Sequence, residues 1–138
     1  MALSNYVEVV HALDYASGNA DREGEIIDTI GADGVLFVVD FSSIAENAVT
    51  SVLVQHGDVA NLSDAATVTG TSTSTTDNTT NQVFAIDVGR LTKRYYRVKI
   101  DKDASNATAE TAVALVYNRE SHPPTDDDDV TVTTVGSA

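Results

Sequence analysis

The chain has 138 residues, a formal net charge of -13 at pH 7, and neither Cys nor Trp. This length suits a single domain with a substantial hydrophobic core, and the absence of Cys excludes disulfides and thiolate metal sites. The acidic balance argues against nucleic acid as a partner, because binding to a polyanion needs a net supply of positive charge at the contact.

The N-terminal stretch fits two periods. A strand would align alternate side chains from Val7 to Tyr15, whereas a helix would align a different set from Leu3 to Leu13. Frequent β-branched residues favour the strand. We assign residues 1–21 to an N-terminal arm, which we expect to lend a strand to a neighbour because its edge would otherwise stay unpaired.

Short apolar runs separated by turn residues follow from Glu25 onward. Val35–Phe41 is nearly continuously apolar, which is typical of a strand buried on both faces, and its length and β-branched content favour a strand over a short buried helix. Val49–His56 has the composition of the next strand, and Ala66–Gly70 that of a weakly pairing segment. Thr71–Asn81 contains no apolar residue and indicates a solvated loop.

The segment Val83–Ile100 predicts a hairpin, since two apolar/polar alternations flank a turn that contains Gly. In its second strand Tyr96, Val98 and Ile100 would share one face and build the core, while the residues between them would face outward. Beyond a further turn, Thr108–Tyr117 predicts another strand.

The outward face of this hairpin carries an unusual concentration of positive charge. Six of the eight Lys and Arg residues lie between Arg90 and Lys102. We define the basic stripe as Arg90, Lys93, Arg94, Tyr95, Arg97 and Lys99. Arg and Tyr are enriched at interface centres, so the stripe is our candidate contact with an acidic partner surface or a second copy of this chain. The alternative is that its cations balance nearby carboxylates, such as Asp87, and protect a strand edge.

The C-terminal segment predicts an arm of different character. Two adjacent Pro residues and the carboxylates of Asp126–Asp129 exclude a central strand over this part. Val130–Val135 is strand-like in composition and would pair with an edge, within the chain or across chains. Short strands at regular spacing favour an all-β fold, an antiparallel β-sandwich over residues 22–121 followed by an acidic arm over 122–138.

The chain contains no sequence motif typical of an enzyme or of a metal site. No Gly-x-Ser-x-Gly elbow and no phosphate-cradling Gly-x-x-x-x-Gly-Lys is present. His11, His56 and His122 lack ligand spacing. Asp101–Asn106 is only a fragment of a calcium loop, and Asp126–Asp129 is typical of solvated charge. We therefore expect no enzyme, no catalytic residue, no cofactor and no metal site.

Targeting signals are also missing from the sequence. No apolar run approaches the ~20 residues that span a bilayer, and Met1–Asn5 lacks the basic start of a signal peptide. We expect no membrane association and synthesis in a cytoplasm.

The order of segments resembles a known family of virion proteins. The residues that carry the resemblance are a Gly-Ala-Asp-Gly turn before Val35–Phe41, then Val52–Asp58, Leu62–Gly70, Phe84–Val88, Lys93–Val98 and the strand ending at Asn118. Over roughly Gly24 to Pro124 the chain is similar to the small β-sandwich proteins encoded beside the major capsid protein in tailed bacteriophages, which decorate or cement the head.

The resemblance implies a jelly-roll-like sandwich with extended arms, assembled as a homotrimer at the local three-fold positions of the shell. The implied partner is the major capsid protein, and the implied location is the outer capsid surface of a virion made in the bacterial cytoplasm. Two alternatives stay open: a head fibre or other receptor- or carbohydrate-binding β module, and a head-tail joining protein with ring symmetry.

Overall fold

A computed structural model of the chain describes residues 6–46, 48, 50–75, 82–102 and 107–118. In these ranges there are strands and no helix, and every strand pairing is antiparallel. The strands are β1 (Val7–Gly18), β2 (Arg22–Glu23), β3 (Ile27–Asp28), β4 (Gly34–Ile44), β5 (Thr50–Gly57), β6 (Ala66–Thr67), β7 (Thr73–Ser74), β8 (Gln82–Val88), β9 (Tyr95–Lys102) and β10 (Thr108–Tyr117). The predicted all-β class is confirmed.

The first sheet has the strand order β1-β10-β4-β8. β1 confirms the strand interpretation of the N-terminal stretch, and it pairs with β10 from Val7 opposite Tyr117 to Gly18 opposite Thr108. Residues 7–18 therefore lie within the sheet and not in an arm, because β10 bonds to their backbone along nearly the whole strand. Residues 1–5, like the predicted arm at 122–138, lie outside the described residues.

The second sheet has the order β2-β9-β5-β6, with β3 also on β9 and β7 also on β5. The weak pairing predicted around Ala66 is confirmed by β6. The expectation of a solvated loop from residue 71 is wrong at its start, because the Thr71 hydroxyl accepts the Val54 N–H at 3.1 Å and donates to the Val68 carbonyl at 2.7 Å. These bonds and the β7 pairing tie the segment to β5; residues 76–81 lie outside the described ranges.

The two sheets face each other across one hydrophobic core. Tyr96, Val98 and Ile100 on β9 are fully buried, which confirms the predicted division of this strand into two faces. Phe37 and Phe41 of β4 supply the largest side chains from the first sheet. The other fully buried core residues are Ala12, Val35, Val39, Val52, Val54, Ala114 and Val116. Alternation along each central strand thus builds the sandwich.

The predicted hairpin over residues 83–100 is wrong, although both of its strands exist. β8 pairs with β4 in the first sheet, whereas β9 pairs with β5 in the second. The connection between them crosses from one sheet to the other, and the buried Tyr96 hydroxyl fixes it by accepting the backbone N–H groups of Thr92 and Lys93 at 3.0 and 3.2 Å. Jelly-roll connectivity stays a prediction.

Candidate functional site

The basic stripe runs from the β8–β9 connection onto the outer face of the second sheet, and three of its cations, Lys93, Arg94 and Arg97, are paired within the chain. Arg94 donates from Nε and Nη2 to the two carboxylate oxygens of Asp28 at 2.9 and 2.8 Å. The guanidinium also lies 5.1 Å from the ring centre of Tyr95. The hydrogen bond to Asp28 raises the pKa of Arg94. β3 positions Asp28 because this residue pairs with Tyr95 across the β3–β9 ladder.

Arg97 occupies the middle of the stripe and is largely buried by its partners. Its Nε donates to Gln55 Oε1 at 2.9 Å, and its Nη2 forms an ion pair with Glu23. The Arg97 side chain is 15% exposed. Gln55 is directly opposite Arg97 in the β5–β9 ladder, so sheet register brings the two side chains together.

Lys93 closes the turn at the end of β5. Its Nζ lies 3.1 Å from Asp58 Oδ2. The Asp64 carboxylate accepts the backbone N–H of Asp58 at 2.9 Å and that of Val59 at 3.3 Å. The hydrogen bond from Asp58 is the main cause of the lowered pKa of Asp64. At this end of the sandwich, Lys93 is therefore paired with a turn that the Asp64 carboxylate stabilises.

Arg90 and Lys99 complete the stripe at its two ends. Arg90 is exposed on the β8–β9 connection, and Lys99 is half-buried on β9 opposite Leu53. Asp87, which we expected to pair with the stripe, instead accepts the Tyr117 hydroxyl at 2.7 Å. The described ion pairs are those expected if the stripe balances nearby carboxylates, but the carboxylates belong to Asp28, Glu23 and Asp58. Whether the stripe also contacts a partner stays a prediction.

The outer face of the first sheet contains an apolar patch, which sequence reasoning missed as a surface, although Asp40, Asp87 and Thr111 also lie on this face. Leu36 and Val38 of β4 are directly opposite Leu115 and Val113 of β10, and Ala85 of β8 extends the second of these rows. We call these five residues the outer apolar face. Their neighbours along each strand point into the core, so these side chains point away from it. Val113 is 38% exposed.

The second sheet has a polar outer face by comparison. Its cross-strand rows join Arg97 to Gln55, Asp101 to Ser51, and Lys99 to Leu53. Antiparallel sheets with one solvated face normally show this polar pattern. The sequence contained a signal for the apolar character of the first sheet, because the nearly continuous apolar run of β4 predicts burial on both faces of that strand. In the structure only the inner face of β4 is fully buried.

A buried ionic cluster connects the two sheets at one end of the sandwich. Lys102 Nζ lies 2.7 Å from Glu110 Oε1 and donates to the carbonyls of Gly18 at 2.9 Å and Thr108 at 3.2 Å. Arg22 Nη1 lies 2.8 Å from Glu110 Oε2. The Lys102 and Glu110 side chains are fully buried. The alternation that places Ile100 inside also places Lys102 inside, so strand parity could have predicted its burial.

Within the described ranges, no group of three or more His, Asp or Glu side chains is arranged to hold a metal ion. His11 lies 2.6 Å from Asp14, and the His56 ring packs 5.4 Å from the ring of Tyr96. Burial, and next the charge of Lys93, lower the pKa of His56. His122, Asp103, Asn106 and Asp126–Asp129, which we considered as ligands, lie outside the described residues.

A scan against protein-family models finds no match, and a search of curated proteins finds none either. In the part of the chain that the structure describes, no helix is long and apolar enough to cross a membrane.

Proposed function

We propose that this chain is a structural protein that decorates and cements the icosahedral head of a tailed bacteriophage, binding as a homotrimer between major capsid protein subunits. The resemblance over residues 24–124 supports this function, and the outer apolar face is the structural observation that carries it. A small sandwich with one apolar outer face has a surface suited to packing on another protein.

The two central strands of the first sheet supply the main support. In β4, Val35, Phe37 and Val39 fill the core, while Leu36 and Val38 lie between them on the outside. Polar residues are normal at such outer positions when a sheet faces water. Apolar residues at these two positions fit a sheet whose second layer comes from a partner.

The energy available from this face is moderate for one copy. Full burial of one Val or Leu side chain contributes roughly 1.5–3 kcal/mol, and these side chains are already partly buried. One copy would thus bind weakly after the cost of association. A trimer that engages several shell subunits at once gains about 10² to 10⁴ in avidity when geometry permits simultaneous contact. Repeated weak contacts of this kind suit a cementing protein.

The test is a binding measurement on undecorated heads of the phage that encodes the chain. We expect saturable binding, with a copy number per head that matches the three-fold positions, and a free mass of a trimer or of a monomer that trimerises on the shell. Val113→Asp places a carboxylate in the outer apolar face and should weaken binding at least tenfold. Thr67→Asp is the matched control, because Thr67 is an exposed strand residue of the second sheet.

Three results would contradict this function. The first is a folded protein that does not bind heads at any concentration. The second is a free ring of higher symmetry that binds tail or portal components, which would favour the head-tail joining alternative. The third is saturable binding on a glycan array, which would favour the receptor-binding alternative. Equal head binding by Val113→Asp and Thr67→Asp would instead remove the outer apolar face as the contact.

A further inference from the structure

His56 lies near the end of β5, at the point where three strands of the second sheet meet. It is directly opposite Ala66 of β6 and Tyr96 of β9. Because opposed residues share a face and Tyr96 is fully buried, the His56 ring points inward. The two rings meet edge to face, with 5.4 Å between their centres and an interplanar angle of 62°. This end of the sandwich therefore places a titratable ring against the core.

The surroundings of the His56 ring fit its neutral form. Nδ1 is buried and has no hydrogen-bond partner among the described residues. The residue as a whole is half-buried, so it lies close to solvent. A neutral imidazole carries one N–H, whereas the protonated ring carries a donor on both nitrogens. The neutral ring with its proton on Nε2 suits this position, because protonation would leave a buried donor without an acceptor.

The Tyr96 side chain that His56 contacts also holds the connection between β8 and β9. Its hydroxyl accepts the backbone N–H groups of Thr92 and Lys93 at 3.0 and 3.2 Å. At the next residue, the Arg94 carbonyl accepts both the N–H and the hydroxyl of Thr29, at 2.9 and 2.6 Å. Displacement of the Tyr96 ring would therefore free the two amides without breaking the bonds at Arg94.

Three charged side chains act on His56. Lys93 belongs to the connection, and Asp58 and Asp64 belong to the turn that follows β5. Burial, and next the charge of Lys93, lower the pKa of His56, and the two carboxylates oppose this with smaller effects. The folded state thus favours the neutral ring. This contribution to stability is complete above the ordinary pKa of about 6.5 and is lost as the pH falls below it.

We propose that His56 is an acid-sensitive switch that controls the connection between β8 and β9. At neutral pH the uncharged ring packs on Tyr96, which holds the amides of Thr92 and Lys93. In acid the protonated ring turns toward water, where both of its N–H groups find acceptors, and Tyr96 loses a packing partner. The connection then opens together with Lys93 of the basic stripe. Opening stays local, because Ile100 further along β9 remains in the core. This switch is independent of the proposed function.

Amide hydrogen exchange by NMR on the full chain tests the switch. We expect the protection of the Thr92 and Lys93 amides, corrected for intrinsic exchange, to fall about fivefold or more between about pH 7.5 and pH 5. The Ile100 amide should keep its protection. His56→Phe retains a ring against Tyr96 but cannot be protonated, so it should remove the pH dependence, whereas the matched control His11→Gln should not. An equal loss at Ile100, or the same pH dependence in His56→Phe, would overturn the switch.

Two further measurements follow the proton and the route of the effect. The ring nitrogen shifts of His56 in the natural sequence should place the proton on Nε2 at neutral pH, and a proton on Nδ1 would contradict the proposal. Tyr96→Phe keeps the ring but removes the acceptor, so the Thr92 and Lys93 amides should be weakly protected at both pH values. If acid still reduced the protection of these amides in Tyr96→Phe, the effect would not pass through the Tyr96 hydroxyl, and the switch would be overturned.

Discussion

Lys102 and Glu110 form an ion pair of 2.7 Å between fully buried side chains, one from each sheet. Arg22 and the Thr108 hydroxyl also bind the Glu110 carboxylate, both at 2.8 Å. Charges removed from water at such a position need every partner, because each unpaired ion pays its full desolvation cost. The cluster therefore makes the register between the sheets specific at this end of the sandwich.

Glu110→Gln should destabilise the fold by about 3–5 kcal/mol, because the buried Lys102 and the largely buried Arg22 would lose their counter-charge. Chemical denaturation followed by circular dichroism measures the change. Glu46→Gln is the control, since Glu46 is exposed and should shift stability by less than about 0.5 kcal/mol. Equal stability of the two variants would show that the cluster contributes nothing. Replacing all three charges, with Arg22→Met, Lys102→Met and Glu110→Leu, should recover much of the loss because no unpaired charge is left.

Gly34→Ala should destabilise the first sheet by about 1–3 kcal/mol. The Tyr117 side chain crosses over Gly34, so an added methyl group would overlap its hydroxyl and lie 2.8 Å from the Val88 carbonyl oxygen. Thermal unfolding measures the effect. At Gly18, also in a strand, an added methyl group meets nothing within 4 Å, so Gly18→Ala is the matched control. A loss equal to the control would mean that Tyr117 moves aside without cost.

Alkaline pH should weaken the fold through Tyr117. Burial, and then the hydrogen bond to Asp87, raise the pKa of Tyr117 to about 12, above the ordinary value of about 10 in an unfolded chain. The folded state thus favours the neutral phenol, so this contribution is complete below pH 10 and is lost as the pH rises toward 12. Absorbance titration of Tyr117→Phe against the natural sequence should show one missing high-pKa phenol. A missing phenol with a pKa near 10 would contradict this assignment.

Charge reversal of the basic stripe separates its two roles. Arg94→Glu with Arg97→Glu should abolish head binding if the stripe is a second contact beside the outer apolar face. Reversal at Arg94 should leave the fold intact, because the Arg94 and Asp28 side chains are both more than 40% exposed and exposed pairs contribute ~0–1 kcal/mol. Reversal at Arg97, which is 15% exposed beside Glu23 and Gln55, should cost more stability. Asp28→Arg with Arg94→Glu restores the ion pair with its polarity exchanged and is the control for folding. Normal head binding by the double reversal would exclude the stripe as an interface, and failure to fold would limit its role to stability.

Local sequence patterns predicted elements better than they predicted partners. The alternation of Tyr96, Val98 and Ile100 fixed the buried face of β9, and Thr108–Tyr117 coincides with β10. The hairpin failed because strand pairing is decided by long-range contacts: β8 pairs with β4, which lies about 45 residues earlier in the chain. Short connections between adjacent strands are common, but a crossing between two sheets satisfies the same local pattern.

The partners of the stripe could not be predicted for the same reason. Arg94 pairs with Asp28 and Arg97 with Glu23, both on two-residue strands that carry too little periodicity to be recognised. The outer apolar face could have been predicted, since the apolar run of β4 indicated burial on both faces of that strand. Sequence alone does not say whether the second covering layer belongs to the same chain.

The two ends of the described chain meet at one pole of the sandwich, where the Asn118 N–H donates to the Tyr6 carbonyl at 2.9 Å. A force applied to both ends would open the β1–β10 ladder from Val7 and Tyr117, one pair of hydrogen bonds at a time. Peeling of this kind resists little tension, whereas load spread over a sheet face engages many contacts together. A sandwich with this arrangement resists a load applied across its sheet faces, but it unfolds at low force when it is pulled by its two chain ends.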